Sequence, residues 1–429
     1  MDPAWWRAFG STDLDALVDE ALRANPDLKS ADAALRQARQ LLSAQRGAFW
    51  PTVDLSYAGQ RAKTSGALSP VTADNASIYS LHTAQVEVSY APDLFGGVRR
   101  ATEAAKAGAD VQRFQYEAAR TSLIANVVTA AIQQAALRGV QLSAQKAVVA
   151  GRDILSFTRR QTELGALGQA DVAAQETILA QAEQAVPPLE KALAQQRTAL
   201  AILLGREPGQ GAPPDLSLDR IALPADLPLI LPAELVRQRP DVRAAEANLH
   251  AASAEVGVAV AARIPNISLS AAAGGAGLGL QDLLTHGNDF WAITGGVTQP
   301  IFAGGALLHR QKAAEAALDQ SKAQYRGTVL AALKNVADCL DALRIDANAL
   351  NTAAAAEAAG RRSLDFSQRQ MTLGQVGALA ARNAEQAYAQ AQGALVNARA
   401  ARYADTAALF QALGGGWSGA TDKVPAPLH

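Results

Sequence analysis

The sequence predicts a mainly α-helical chain that also carries a small membrane β-sheet and is built as two repeats. Three observations lead to this prediction. Residues 97–164 and 305–373 are rich in alanine and almost free of proline, which favours very long helices. Four short segments alternate apolar and polar residues, and motifs of proline, phenylalanine and glycine recur in one order in both halves. Helix therefore dominates the chain by length.

Composition limits the classes of function. The 429 residues are 49% hydrophobic but only 5% aromatic, so alanine supplies much of the apolar content. Because 39 basic and 40 acidic side chains nearly cancel, no positive field is available to bind nucleic acid. The five histidines show no spacing typical of a metal or nucleophile site, and the single Cys339 cannot form an intrachain disulfide. We therefore expect no enzyme activity, no metal and no cofactor.

The long helices are predicted to fold back as two hairpins. About 68 residues at roughly 1.5 Å each give helices of about 100 Å, which no ordinary globular domain contains. Glycine pairs end both helices, so the hairpin tips are expected near 165–168 and 374–377, followed by return helices near 169–204 and 378–413. Pro187 and Pro188 predict a kink in the first return helix only.

The two halves repeat the same motifs. NPDL at 25–28 returns as RPDV at 239–242, PDLFGG at 92–97 as PIFAGG at 300–305, and LGALG at 164–168 as LGQVG at 373–377. The predicted organisation is a first repeat over 1–206, a proline-rich linker over 207–231, a second repeat over 232–413 and a C-terminal tail over 414–429.

The alternating segments predict β-strands. In the first segment Val53, Leu55 and Tyr57 fall on one face while Asp54 falls on the other. The glycine-rich run 274–279 lacks the spacing of a phosphate-binding loop and is expected to be a flexible loop after the third strand. The four strands are predicted near 51–62, 80–91, 265–273 and 289–300.

Strands with one apolar and one polar face suit a membrane barrel that has lipid outside and water inside. Aromatic residues near the strand ends favour this interpretation: Trp50, Tyr90 and Trp291. A half-buried sheet of a soluble protein alternates in the same way and remains an alternative. In the barrel, the side chains predicted to face lipid are Val53, Leu55, Tyr57, Val86 and Val88, and those predicted to face the lumen are Asp54, Gln85 and Glu87.

Closure of the barrel requires other copies of the chain. Four strands cannot close a barrel, and an open strand edge is not tolerated in lipid, so the strands must be shared with copies of the same chain. No apolar run approaches the roughly 18 residues of a membrane-spanning helix, which argues against a helical membrane protein.

These motifs, together with WWRAF at 5–9 and LAILLG at 200–205, resemble the TolC-like outer membrane factor family, in particular its efflux branch. The resemblance covers nearly the whole chain. It implies a homotrimer with a twelve-stranded barrel in the outer membrane and an α-barrel tunnel that crosses the periplasm. The implied partners are a periplasmic membrane-fusion adaptor, an inner-membrane pump of the RND type and outer-membrane lipid.

The resemblance also places the gate just beyond the hairpin tips. In the family, acidic residues ring the pore at this position, and Asp171 matches the first-half site. Asp171 has a simpler interpretation as a carboxylate that stabilises a helix N-terminus. In the second half Asn383 stands where a ring aspartate is expected, and Leu379 fits an apolar constriction. The adaptor-docking tips are Leu164, Gly165, Leu167, Gly168, Leu373, Gly374, Val376 and Gly377.

Met371 and Val376 occupy the places of the tyrosine and arginine that latch the hairpins in the family. We therefore expect a gate held by packing and weak polar contacts rather than by charge pairs. We also expect an exported precursor with a signal and a lipid-anchored cysteine outside this sequence. A soluble periplasmic coiled-coil scaffold and a type I protein-secretion duct remain the alternative functions.

Overall fold

The computed structural model describes residues 4–63, 78–207, 209, 214, 216–224 and 237–415. Within these ranges the chain is mainly helical and carries one four-stranded antiparallel sheet, as predicted. About half of the predicted linker 207–231 and most of the predicted tail 414–429 lie outside the described residues.

The described helices and strands follow the predicted order. The helices are α1 (Thr12–Ala24), α2 (Pro26–Gly47), α3 (Gly97–Glu163), α4 (Gln169–Gln184), α5 (Val186–Leu203), α6 (Pro240–Ala261), α7 (Ala306–Thr372) and α8 (Ala378–Ala412). The strands are β1 (Thr52–Lys63), β2 (Ile78–Tyr90), β3 (Asn266–Gly277) and β4 (Asp289–Thr298). Short 3-10 turns are formed by Trp5–Phe9, Leu218–Arg220 and Leu280–Asp282.

The chain divides into two compact units, and each unit draws on both predicted repeats. The helical unit contains Met1–Ala34, Arg113–Ala244 and Arg326–His429, and the sheet unit contains Leu35–Gln112 and Ala245–Tyr325. The assignment of the two repeats remains a prediction.

The main core of the helical unit surrounds the buried middle of α3. Ile124, Val128 and Ile132 of α3 belong to one apolar cluster with Trp5, whose ring stacks on Phe410 of α8 at 5.1 Å. Complete burial of side chains of this size stabilises the fold by roughly 1.5–3 kcal/mol each. The aromatic start of the chain is thus fixed against the helices by packing.

The expectation that no apolar stretch approaches the length of a membrane-spanning helix is wrong for α3. Among the described residues, α3 contains an 18-residue window that is long and apolar enough to cross a membrane, and 61% of that window is buried inside the chain. A mostly buried helix of this kind is also typical of a protein core, so length and composition alone are weak support for a membrane span.

The first return helix is broken and the second is not. Helix α4 ends at Gln184, Ala185 separates it from α5, and prolines occupy the start of α5. The break has a direct cause, because each proline ring removes a backbone donor and clashes with the preceding turn. Helix α8 runs uninterrupted for 35 residues. The predicted kink is therefore confirmed.

The sheet has the order β1-β2-β3-β4, and every neighbouring pair is antiparallel. Strand β3 is longer than expected, because the run predicted as a flexible loop enters the strand as far as Gly277 and pairs with β2. A Cβ on Gly274 would overlap the carbonyl oxygen of Ala84, and a Cβ on Gly275 would overlap that of Leu283. Glycine is needed here because backbone approaches the strand closely.

Candidate functional site

The register of the sheet collects apolar side chains on one face. Leu55 lies opposite Val86, Val86 opposite Ala273, and Ala273 opposite Trp291. These are exposed positions: Leu55 is 81% exposed, Trp291 75% and Ile293 77%. A contiguous exposed apolar surface of this kind marks a membrane or protein contact.

On the opposite face, β1 and β2 carry facing polar side chains. Asp54 lies directly opposite Glu87, and Ser56 lies directly opposite Gln85. Two like charges in opposed positions repel unless water solvates them. This face therefore requires an aqueous environment, and the two faces of the sheet differ as the alternation predicts.

A cross-strand aromatic pair lies on the apolar face and was not predicted. Tyr57 Oη and His82 Nδ1 form a hydrogen bond of 2.8 Å, and their rings stack with centroids 6.2 Å apart. The pairing of Gly59 with His82 brings the histidine beside Tyr57, two residues earlier in β1. The bond satisfies two polar groups that would otherwise be exposed on an apolar surface.

The two edges of the sheet are open. Among the described strands, β1 pairs only with β2 and β4 only with β3. Each edge therefore presents a row of unpaired backbone donors and acceptors, which is a template for pairing with another strand.

The first tip, residues 164–168, reverses the chain in a tight turn. Gly165 adopts φ +76°, and the amide of Ala166 donates to the carbonyl oxygen of Gln161 at 2.9 Å. This arrangement satisfies the last carbonyls of α3. The Leu164 side chain is 78% exposed, while Leu167 is half-buried.

The second tip, residues 373–377, has the same geometry. Gly374 adopts φ +71°, and the amide of Gln375 donates to the carbonyl oxygen of Gln370 at 2.8 Å. Leu373 is 71% exposed and Val376 is half-buried, as at the equivalent positions of the first tip. The two tips therefore present matching apolar side chains.

Asp171 caps a helix in the described structure. The amide of Gly168 donates to Asp171 Oδ2 at 2.9 Å at the beginning of α4. The equivalent residue at the beginning of α8 is Ala380, which leaves this end without a carboxylate cap. Leu379 is half-buried and Asn383 is exposed on the first turns of α8. The three predicted gate residues thus lie on two return helices.

Ion pairs connect the helices near the tips, and the expectation that a gate is held by packing and weak polar contacts stays a prediction. Arg382 Nη1 of α8 lies 3.5 Å from Asp153 Oδ2 of α3, so an ion pair joins the second hairpin to the first. Within the first hairpin, Arg159 pairs with Glu176 at 2.7 Å. Such pairs join residues far apart in sequence, which explains why sequence reasoning missed them.

The comparisons with known proteins agree with this geometry. The family described as outer membrane efflux protein matches residues 17–206 and 231–415. The chain belongs to this family.

Relatives of this outer membrane efflux protein align over almost their whole length. The pyoverdine export outer membrane protein OpmQ of Pseudomonas putida is 29% identical and covers 97% of this chain and 88% of its own. The outer membrane protein OprJ of Pseudomonas aeruginosa is 31% identical over 97% of this chain and 87% of its own. The outer membrane channel CmeC of Campylobacter jejuni has the same fold, with a TM-score of 0.89, 24% identity and coverage of 98% of this chain and 90% of CmeC.

These matches support the function predicted from the sequence over the scaffold and secretion alternatives. The outer membrane efflux protein is an exit channel component, and its relatives are transport proteins rather than enzymes. The resemblance to TolC-like outer membrane factors is confirmed, as is an outer-membrane location at the level of the family.

The efflux protein has a cavity of about 530 Å³ beside the break in its first return helix. Ala185 borders it, and α3, α4, α5 and α8 all contribute to its wall. Polar side chains that line it include Ser143, Gln181 and Gln390. The break thus coincides with a gap in the packing between the two hairpins. The proline pair is the only sequence feature that indicates the break.

A carboxyl pair joins α7 to α8 in the same unit. Asp405 faces Asp346, whose buried Oδ2 has no hydrogen-bond partner among the described residues. Burial, followed by Asp346, raises the pKa of Asp405 from 3.8 to about 6, while Arg402 opposes the rise. The Asp405 carboxyl is therefore protonated in mildly acidic solution.

Proposed function

We propose that three copies of the chain close a twelve-stranded barrel in the outer membrane and form the exit duct of a tripartite efflux pump. The observation that carries this proposal is the sheet, which has two open edges and an exposed apolar face. In lipid an unpaired edge costs several kcal/mol for each unsatisfied backbone group. Pairing of β4 with β1 of a neighbouring copy removes both edges at once.

The helical hairpins then form the periplasmic tunnel. Exposed Leu164 and Leu373 at the tips give an apolar surface for the periplasmic membrane-fusion adaptor, with an inner-membrane pump of the RND type beneath it. Surface-exposed leucine at a tight, ordered turn suits a protein contact, because burial there releases water without a large loss of backbone entropy. The proposed docking residues are those of the two tips.

The proposed gate combines one charged and one neutral ring. Three copies of Asp171 carry negative charge at the beginning of the first return helices, and three copies of Asn383 contribute dipoles without net charge. Leu379 supplies an apolar ring one turn before Asn383. The capping hydrogen bond of Asp171 engages one carboxylate oxygen and leaves the other able to face the pore.

The repeat boundaries and the membrane anchor belong to the same proposal. We infer a duplicated chain with repeats over 1–206 and 232–413, because both tips and both long helices have matching geometry. Helices α3 and α7 have the same length, 67 residues. We further propose that a lipid anchor on the exported protein helps hold the trimer in the outer membrane.

Native mass spectrometry in detergent, combined with planar-bilayer recording, tests the proposal. We expect a trimer and discrete single-channel conductance from the purified protein. A strictly monomeric protein that inserts into no bilayer would contradict the barrel.

A further inference from the structure

The second junction between sheet and helix exposes two large apolar side chains almost completely. Ile301 is 91% exposed and Phe302 is 90% exposed, directly after β4 and before α7. The large apolar residues of the same motif after β2 are Leu94, which aligns with Phe302 and is 60% exposed, and the following Phe95, which is 49% exposed. The same motif is therefore much less covered in the second half of the chain.

The position in the sheet explains this difference. Strand β2 lies in the interior of the sheet, and Leu94 and Phe95 border a cavity of about 570 Å³ formed with the neighbouring α6–β3 turn. Strand β4 is an edge strand, so the described chain has no strand beyond it to cover the following residues. The exposure of Ile301 and Phe302 is thus a property of the open edge.

The other open edge carries a matching apolar residue at the same end of the sheet. Trp50 lies two residues before β1 and is 74% exposed. Asn266 at the start of β3 pairs with Thr298 at the end of β4, and Thr52 at the start of β1 pairs with Ser89 near the end of β2. The beginning of β1 and the end of β4 therefore lie at one end of the sheet.

We propose that Trp50 of one copy packs against Ile301 and Phe302 of the next copy, where β1 and β4 meet. We call this contact the basal seam. It rests on the proposed trimer and adds a specific side-chain contact between neighbouring copies. The occupant is a second copy, because continuation of the sheet brings the Trp50 edge to the Ile301 edge. Large aromatic side chains buried at such a contact dominate binding energy.

Cysteine cross-linking tests the basal seam. In a Cys339→Ser background, Trp50→Cys combined with Phe302→Cys should give covalent dimers and trimers on oxidation, and each single variant should give none. Leu284→Cys combined with Phe302→Cys is the matched control, since Leu284 is 99% exposed but lies in the loop at the opposite end of β4. This control pair should remain monomeric in denaturing gels.

A second measurement covers variants that assemble poorly. Phe302→Ala should raise the dissociation constant of the detergent-solubilised trimer roughly tenfold, while Phe95→Ala should change it less than threefold. Absence of cross-links in a protein that remains trimeric would overturn the seam and leave the exit duct intact. A spin label at position 302 that is as accessible to dissolved oxygen as a lipid-exposed site would also overturn the basal seam, because residue 302 would then face lipid. Absence of any trimer would instead contradict the proposed function itself.

Discussion

Arg239 Nη1 donates a hydrogen bond of 2.7 Å to the carbonyl oxygen of Ala412, the last residue of α8. In the first half Asn25 Nδ2 donates at 3.0 Å to the carbonyl oxygen of Leu203, the last residue of α5. Both donors immediately precede a Pro-Asp helix start, and both satisfy a carbonyl that has no partner within its own helix. The shared bond supports the proposed duplication.

Loss of the Arg239 side chain should destabilise the helical unit. Arg239→Ala removes the donor to the Ala412 carbonyl oxygen. It also removes the hydrogen bond of 2.7 Å from Arg239 Nη2 to Asp241 Oδ2. We expect the free energy of unfolding to fall by about 1–3 kcal/mol, measured by denaturant titration of the helical circular dichroism signal. Arg344→Ala, at an exposed surface pair, is the control and should change it by less than about 0.5 kcal/mol. Equal effects of the two substitutions would show that the cap contributes nothing specific.

The ion pair between Arg382 and Asp153 should favour the closed state. Because the pair is partly exposed, we expect a contribution of at most about 1 kcal/mol, or roughly a fivefold rise in open probability for Arg382→Ala. Single-channel recording measures this directly. Arg382 also pairs with Glu385 at 2.9 Å on its own helix, so Asp153→Ala should raise the open probability as Arg382→Ala does, whereas Glu385→Ala should change it less. An unchanged open probability in Asp153→Ala would rule out the pair with Arg382.

The gate rings should give modest cation selectivity that arises from Asp171. Asn383→Asp would add three carboxylates in a narrow, partly desolvated mouth, so block by divalent cations should appear or sharpen. Asp171→Asn should weaken selectivity without loss of the cap, because the amide oxygen can still accept the hydrogen bond from the Gly168 amide. Planar-bilayer conductance with divalent cations on the periplasmic side separates these effects. Unchanged block in Asn383→Asp would place Asn383 outside the constriction.

The faces of the sheet should differ in their tolerance of charge. Val86→Lys places a cation on the apolar face and should cost about 2–4 kcal/mol at the bilayer midplane, so assembly in the membrane should fail. Glu87→Lys, on the adjacent polar face, is the matched control and relieves the repulsion with Asp54. The measurement is the heat-resistant oligomer in outer-membrane fractions. Equal amounts from both variants would reverse the assignment of faces.

The carboxyl pair predicts a stability that depends on pH. Because the folded pKa of Asp405 lies near 6, above its ordinary 3.8, the folded chain holds a proton that the unfolded chain releases at about pH 4. The contribution of Asp405 to stability should therefore be greatest below pH 4 and fall as the pH rises to 6, by roughly 1 kcal/mol once solvent access is considered. The groups that act on Asp405 are Asp346 and Cys339 on α7 and Arg402 on α8.

Thermal unfolding at pH 4, 5, 6 and 7 checks this dependence. Asp405→Asn should flatten the profile over that range, and Asp341→Asn, at an exposed carboxylate, should leave it unchanged. A profile of Asp405→Asn that parallels the parent protein would show that another group titrates.

Local signals made most of the fold predictable. Glycine at the two tips and proline at the break act through their own backbone geometry, so their effects can be inferred without knowledge of the neighbours. The extension of β3 through Gly274 and Gly275 could not be predicted in this way, because glycine disfavours strands. Glycine is needed here because the carbonyl groups of Ala84 and Leu283 come too close to leave room for a Cβ.

Side-chain partners at the candidate site were less predictable. The Asp153–Arg382 pair and the Asp346–Asp405 pair each connect helices that meet only after the hairpins have packed. The Tyr57–His82 bond requires the register of β1 and β2, which alternation alone does not specify. Even Asp171, whose position was predicted, has a capping bond that depends on where α4 begins.

The break at Ala185 makes the two hairpins mechanically different. Helix α4 connects to α5 through the single residue Ala185 beside a cavity, whereas α8 is uninterrupted along its 35 residues. Bending at a proline requires no loss of intact helical hydrogen bonds, but bending a continuous helix does. We therefore expect the first tip to swing outward about Ala185 while the second pivots as a rigid rod, so that three hinged and three rigid elements would alternate around the opening mouth.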